Sequence, residues 1–298
     1  MTVEALNQTI ILEDGRVLGY AESGDLKGVP LFLFHGLNSS RLEVNIVHEQ
    51  MEKRGIRLIG VDRPGMGLST FQDNRAILDF VDDIIALADS LYIDKFSIMG
   101  VSAGTAYALA CLYKIPERIS FCGLISALAP VMEIDNTSMS KENRSFISLS
   151  KIFPWFTIAL FWFMQGRLSQ DDTKADQFLK NIMLSLDDVD KQLIEDEKAK
   201  KDLLNTFRES YKEGTKGVAY DAKIVFTQPW GFTLEAIDFP SIHLWHGKKD
   251  NGAPLLMTKA MLEKLNHPIL KTYPNEGHLS IIFSQMDEII DDFLESLI

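Results

Sequence analysis

Gly100-Val101-Ser102-Ala103-Gly104 sets a serine between two glycines, directly after the apolar run Phe96-Ser97-Ile98-Met99 and directly before the helix-forming Thr105-Ala106-Tyr107-Ala108-Leu109-Ala110. A sharp turn from strand to helix needs small residues on both flanks, because bulk there collides with the neighbouring strand and helix. Such a turn lifts the central side chain above the sheet. Ser102 then stands at a helix N-terminus, where the positive end of the helix and its free N–H groups favour the negative charge that develops during acyl transfer. A glycine-flanked serine can also simply cap a helix. The strand before this one and the helix after it decide for a nucleophile.

Phe34-His35-Gly36-Leu37 closes an earlier apolar run and supplies a loop whose backbone faces Ser102 across the tops of neighbouring strands. The backbone N–H groups of Leu37 and Ala103 are the expected oxyanion hole. His35 reads as structural, packed under that loop. A serine hydroxyl is a weak nucleophile until an imidazole takes its proton, and that imidazole needs an anion to fix its tautomer and stabilise its charge. A base and an acid must therefore come from elsewhere in the chain.

The elements that would position these groups show in the apolar pattern. Two apolar-rich runs in residues 8–22 flank Asp14-Gly15, a dipeptide that accepts positive φ and closes tight hairpins. From Pro30 onward, short apolar runs at 31–35, 57–62, 96–100 and 119–125 are separated by segments long enough for helices, as in parallel βαβ units. Ile77, Phe80, Val81, Ile84, Ile85 and Ala88 recur at helical spacing and mark one apolar face laid on the sheet. After Pro130 the rhythm stops for about a hundred residues until the strand-like 241–246, and 269–273 is the last strand. Leu279, Ile282, Phe283, Met286, Ile290, Phe293 and Leu297 then trace a closing helix.

The interrupted segment holds Phe153-Pro154-Trp155-Phe156 and Phe161-Trp162-Phe163-Met164, followed by the charged run 194–202. The charged run reads as a solvated helix face. The aromatic run is too short to span a bilayer, which takes roughly 20 apolar residues, so no stable membrane insertion is expected. It reads instead as helices folded over an apolar pocket.

Bulk composition narrows the classes. The 298 residues are 46% hydrophobic and 24% charged, enough apolar material for a large core. A net charge of -12 repels phosphate backbones, so nucleic acid is not an expected partner. Cys111 and Cys122 sit in apolar stretches without metal-ligand spacing and read as buried free thiols. No basic leader precedes an apolar run at the N-terminus, so the expected location is cytoplasmic.

Together, the strand-end His35-Gly36, the turn Asp62-Arg63-Pro64-Gly65-Met66-Gly67-Leu68-Ser69, the elbow at Ser102, the segment His246-Gly247-Lys248-Lys249-Asp250 and Glu276-Gly277-His278 resemble the α/β-hydrolase superfamily, in its capped branch of esterases, dehalogenases and epoxide hydrolases. The resemblance implies a mostly parallel central sheet with helices on both faces. Its core would comprise 1–129 and 231–298, with a helical cap (lid) insertion over 130–230. The family's chain order of nucleophile, acid and base implies Ser102, Asp250 and His278, each of the last two just after an expected strand.

Of the other histidines, His243 and His246 lie in an expected buried strand and read as core residues, and His48 and His267 follow no final strand. Some relatives place the acid after the strand that follows the nucleophile helix. Here that strand ends in Ser126-Ala127, which leaves Asp250. The Asp62 turn reads as structural.

Serine at the elbow, where aspartate would stand for dehalogenase or epoxide hydrolase chemistry, points to a serine hydrolase. The expected activity is carboxylester hydrolysis of a small to medium apolar ester through an acyl-enzyme on Ser102, with no cofactor and no metal. Two other readings use the same residues: a C–C bond hydrolase with the same triad, and a non-catalytic receptor whose pocket binds a small apolar ligand.

Overall fold

The computed structural model of the chain describes residues 5–132, 145, 172–184 and 186–297. Eight strands form one sheet in the order β1-β2-β4-β3-β5-β6-β7-β8. β1 (Gln8–Ile11) and β2 (Val17–Gly24) make the expected hairpin, with Gly15 at φ +84° in the turn. β2 also runs antiparallel to β4 (Ile56–Val61). β3 (Val29–Phe34), β4, β5 (Phe96–Val101), β6 (Ile119–Ile125), β7 (Ile242–Gly247) and β8 (Pro268–Tyr273) are mutually parallel.

Parallel strands need crossover connections that cover both faces, which is why they read as continuous apolar runs. β5 is buried along its whole length. Alternate residues of β3 separate the two cores: Phe32 and Phe34 belong to one apolar cluster, Leu31 and Leu33 to the other. Helices α2 (Asp79–Ser90) and α3 (Gly104–Lys114) pack in the first cluster, where Phe80 meets Phe34 edge-on at 6.1 Å. Met51 of α1 (His48–Lys53) lies in the second. Both cysteines are free and buried.

Between β6 and β7 the described residues contain only helices: α4 (Asp172–Met183), α5 (Asp188–Gln192), α6 (Glu197–Ser210) and α7 (Lys216–Thr227), with short single turns beside them. α4, α6 and α7 share a third apolar cluster that includes Leu179, Met183, Leu203, Phe207, Val218 and Ala222. The run 194–202 starts α6, where the Asp196 carboxylate accepts the Ala199 N–H at 2.8 Å as an N-cap. The aromatic stretches 153–156 and 161–164 lie outside the described residues.

One expected element differs. The closing helix is two helices, α9 (Ser280–Ser284) and α10 (Met286–Glu295), joined at Gln285 with φ -114° and ψ 2°. The apolar periodicity runs through the break because Ile282, Met286, Ile290 and Phe293 all enter the same cluster. Such a pattern reports which face is buried and is blind to a backbone bend. The bend lets the Gln285 amide donate to Glu276 at 2.8 Å. A last helix, α8 (Leu255–Leu262), follows β7. Among the described residues no helix is long and apolar enough to cross a membrane.

Candidate active site

The turn after β5 carries Ser102 at φ +51°, a left-handed conformation that costs a non-glycine residue free energy and persists only where the surroundings enforce it. Three features enforce it. The Ser102 N–H donates to the Ile125 carbonyl at 3.0 Å. A Cβ on Gly104 would lie 1.9 Å from the Phe34 carbonyl oxygen, and one on Gly100 would lie 2.8 Å from the Gly104 oxygen. The two flanking glycines thus answer two specific collisions, as the sequence pattern required.

The hydroxyl so raised lies 3.0 Å from His278 Nε2, in the loop between β8 and α9. On the other side of that ring, Nδ1 meets Asp250 at 2.8 Å (Oδ2) and 3.0 Å (Oδ1). The three residues expected to act together are therefore brought together, from the ends of β5, β7 and β8. With Nδ1–H donating to the carboxylate, Nε2 is left as the acceptor for the serine hydroxyl.

Asp250 is braced further. Its Oδ1 accepts the Ala253 N–H at 2.7 Å, and His246 Nε2 lies 3.3 Å from Oδ2. His246 donates from Nε2 to the Ala253 carbonyl at 2.8 Å and meets the Thr258 hydroxyl at Nδ1, so it is a hydrogen-bonded core histidine as expected, and one that backs the acid. Burial alone would raise the Asp250 pKa, but His278 and His246 outweigh it and hold the carboxyl well below its usual range. For His278 burial pushes the pKa down, and Asp250, then Asp190 and Glu43, push it up; the net shift is upward.

The loop after β3 lies against the elbow, where a Cβ on Gly36 would sit 3.7 Å from that of Ser102. Leu37 and Ala103 follow on either side of that contact, and among the described residues neither backbone N–H has a hydrogen-bond acceptor. His35 is buried beneath the loop, its Nδ1 donating to the Gly36 carbonyl at 2.8 Å, which keeps it structural. Ser126, at the alternative acid position, donates to the His278 carbonyl at 2.9 Å.

Four further groups were not foreseen from the sequence. Arg63, in the turn read as structural, donates to the carbonyls of His35 at 2.5 Å and Gly36 at 2.9 Å, so it grips the loop that faces Ser102. Asp221 of α7 in turn accepts from Arg63 at 3.0 Å, Arg75 at 2.9 Å and the Tyr107 hydroxyl. The two guanidiniums overcome its burial and depress its pKa. Asp190 of α5 accepts the backbone N–H groups of His278, Leu279 and Ser280. Glu43 accepts from Ser39 Oγ at 2.7 Å and Gly36 N–H at 3.3 Å, and burial raises its pKa.

One signal was available for Asp221. It is a lone charge on the otherwise apolar face Val218, Ala222, Val225, and charges are rarely buried unless paired. Asp190 offers none, since α5 is five residues long and too short for a periodicity.

Beside Ser102 and His278 opens a cavity of about 720 Å³. Leu184, Leu186, Leu203, Phe207, Phe226 and Phe283 give it apolar walls, and Asn38, Ser39, Glu43 and Thr206 form a polar strip.

A sequence profile described as the alpha/beta hydrolase fold matches residues 29–285. The chain is 26% identical over 257 residues to the AB hydrolase superfamily protein YisY of Bacillus subtilis, covering 84% of this chain and 85% of that one. It is 27% identical over 115 residues to the uncharacterized hydrolase YcgS of the same organism, and spans only 39% of that relative's length and 39% of its own. Among solved structures, an esterase from Exiguobacterium antarcticum superposes with a TM-score of 0.70 at 18% identity, over 98% of this chain and 99% of that one. At that identity the likeness speaks for the fold.

Proposed function

The chain belongs to the α/β-hydrolase fold family, and from that premise we propose that it is a serine carboxylesterase with Ser102 as nucleophile, His278 as general base and Asp250 as the acid that orients the base. The observation that carries this reading is the unbroken line from Ser102 Oγ to His278 Nε2 at 3.0 Å and from His278 Nδ1 to Asp250 at 2.8 Å.

In the proposed reaction, Ser102 Oγ attacks the ester carbonyl carbon while its proton passes to His278 Nε2. The carbonyl oxygen gains negative charge between the N–H groups of Leu37 and Ala103, and Arg63 keeps the first of these in place by holding the carbonyls of the preceding residues. The new imidazolium is matched by Asp250. It then gives its proton to the departing alkoxide as the C–O bond breaks, leaving an ester on Ser102. Water attacks that ester with the same imidazole as base, and releases acid and free serine.

The cavity's apolar walls suit an acyl or alcohol group of modest size, because a charged group would lose hydration there without recompense. On this reading 130–230 is the cap, and α4 to α7 are the part of it that closes over the pocket. The cytoplasm remains the proposed location.

The test is a panel of p-nitrophenyl esters of graded acyl length, run on the wild type and on Ser102→Ala. Turnover should be measurable for short and medium chains and fall by about 10⁴-fold or more in the variant, with its thermal unfolding unchanged. Equal turnover by the two proteins would remove Ser102 from the mechanism.

A further inference from the structure

Asp190 is a fully buried carboxylate on α5, and among the described residues no arginine or lysine pairs with it. Its two oxygens accept three successive backbone N–H groups, from His278 at 2.8 Å (Oδ2), Leu279 at 2.9 Å (Oδ1) and Ser280 at 2.8 Å (Oδ1). Room for it exists because residue 277 is glycine: a Cβ there would lie 2.4 Å from Asp190 Oδ2.

A buried anion without a cation is expensive unless several donors converge on it. Three N–H groups meet that need, and they belong to the residue that carries the base and to the two after it.

We propose that Asp190 is a positioning residue for the base: it fixes the backbone that carries the His278 ring and, with Asp250, stabilises the imidazolium formed when Ser102 yields its proton. The inference rests on the serine hydrolase reading. Asp250 binds the ring at Nδ1 and sets its tautomer, but a bond to the ring does not fix the chain from which the ring hangs. Asp190 does so at the N–H of the same residue. A small displacement of a general base costs rate steeply, since proton transfer requires hydrogen-bond distance. Because Asp190 comes from the segment between β6 and β7, docking of α5 and registration of the base occur together.

Among the described residues the groups facing His278 are few. Asp250, with His246 behind it, approaches from the end of β7, Glu43 from the turn after β3, and Asp190 from α5; Glu276, on the histidine's own loop, is engaged by Ser280 and Gln285. Burial works against the imidazolium, and the carboxylates of Asp250, Asp190 and Glu43 favour it. A carboxylate that only anchored α9 would affect folding and leave the proton affinity of the ring alone.

The test is an NMR titration of the His278 imidazole in the full-length wild type, in Asp190→Asn, and in Asp190→Ser, which keeps a single small acceptor. The pH profile of ester hydrolysis is recorded beside it. The imidazole should titrate about half a unit to one unit lower in the variants, and the acid limb of activity should move with it. kcat should fall about tenfold with KM within about twofold.

An unchanged imidazole titration in a folded variant overturns the proposal, as does an unchanged kcat. Failure of both variants to fold would assign Asp190 to structure alone and overturn it too. The titration needs no substrate, so absence of esterase turnover in the wild type would defeat the hydrolase reading separately.

Discussion

At the carboxyl edge of the sheet, Ser102, Asp250 and His278 leave three strand ends, and Ser102 and Asp250 each touch the His278 ring directly, at 2.8 to 3.0 Å. On the helices between β6 and β7, Asp190 and Asp221 touch none of those side chains, yet each holds the main chain of a loop the site depends on. Asp190 holds the loop of His278, and Asp221, through Arg63, holds the loop of His35 and Gly36. The strands bring the three proposed catalytic side chains together. The intervening helices fix the backbone beneath two of the site's loops, so they do more than line the cavity. Thr206 and Glu209 of α6 add further ties, to Ser39, Ser40 and Arg41.

The comparison makes the two regions fail differently, and the largest effect should come from the sheet edge. Asp250→Asn leaves an oxygen for the Ala253 N–H but favours the wrong imidazole tautomer, so kcat should drop about 10⁴-fold with little change in folding. Steady-state kinetics beside a thermal melt would show this. A loss of stability as large as that of the helix variants would blur the distinction.

Asp221→Ala should act the other way. It strands two buried guanidiniums, Arg63 and Arg75, whose side chains are 1% and 0% exposed. Removing one partner of a buried ion pair costs about 3–5 kcal/mol. Denaturant unfolding should register that cost, and turnover by the remaining folded fraction should drop as the Gly36 loop loosens. An unfolding midpoint equal to the wild type's would contradict the role given to α7.

The smallest effect concerns pH, where both regions act on one group. Carboxylates from the sheet edge, from α5 and from the turn after β3 hold His278 above the ordinary histidine value of 6.5, so its protonated form, which on the proposed mechanism cannot take the serine proton, persists past that pH. The acid limb of kcat/KM should lie on the alkaline side of 6.5. A limb at or below that value would mean that burial outweighs the three anions.

The same division governs what could be read from the sequence. The parallel strands were legible because burial on both faces leaves short uninterrupted apolar runs, and the six expected after Pro30 form within two residues at each end. Ser102 was legible from its glycines, since the collisions they avoid are local. Asp250 and His278 needed chain order as well, because either alone resembles a surface residue. Asp190 and Arg63 stayed hidden for a physical reason: their partners are backbone groups distant in sequence, and a carbonyl or an N–H leaves no mark on residue type. The break at Gln285 was invisible because burial continues across it.

The central claim, that Ser102 is an activated nucleophile, is tested most directly by incubating the protein with a fluorophosphonate probe and locating the adduct by mass spectrometry. The account predicts one adduct per chain, on the peptide containing Ser102, absent from Ser102→Ala and slowed by Asp250→Asn. A folded wild-type protein that takes up no probe, or takes it up elsewhere, would contradict it and leave the three side chains as a binding site.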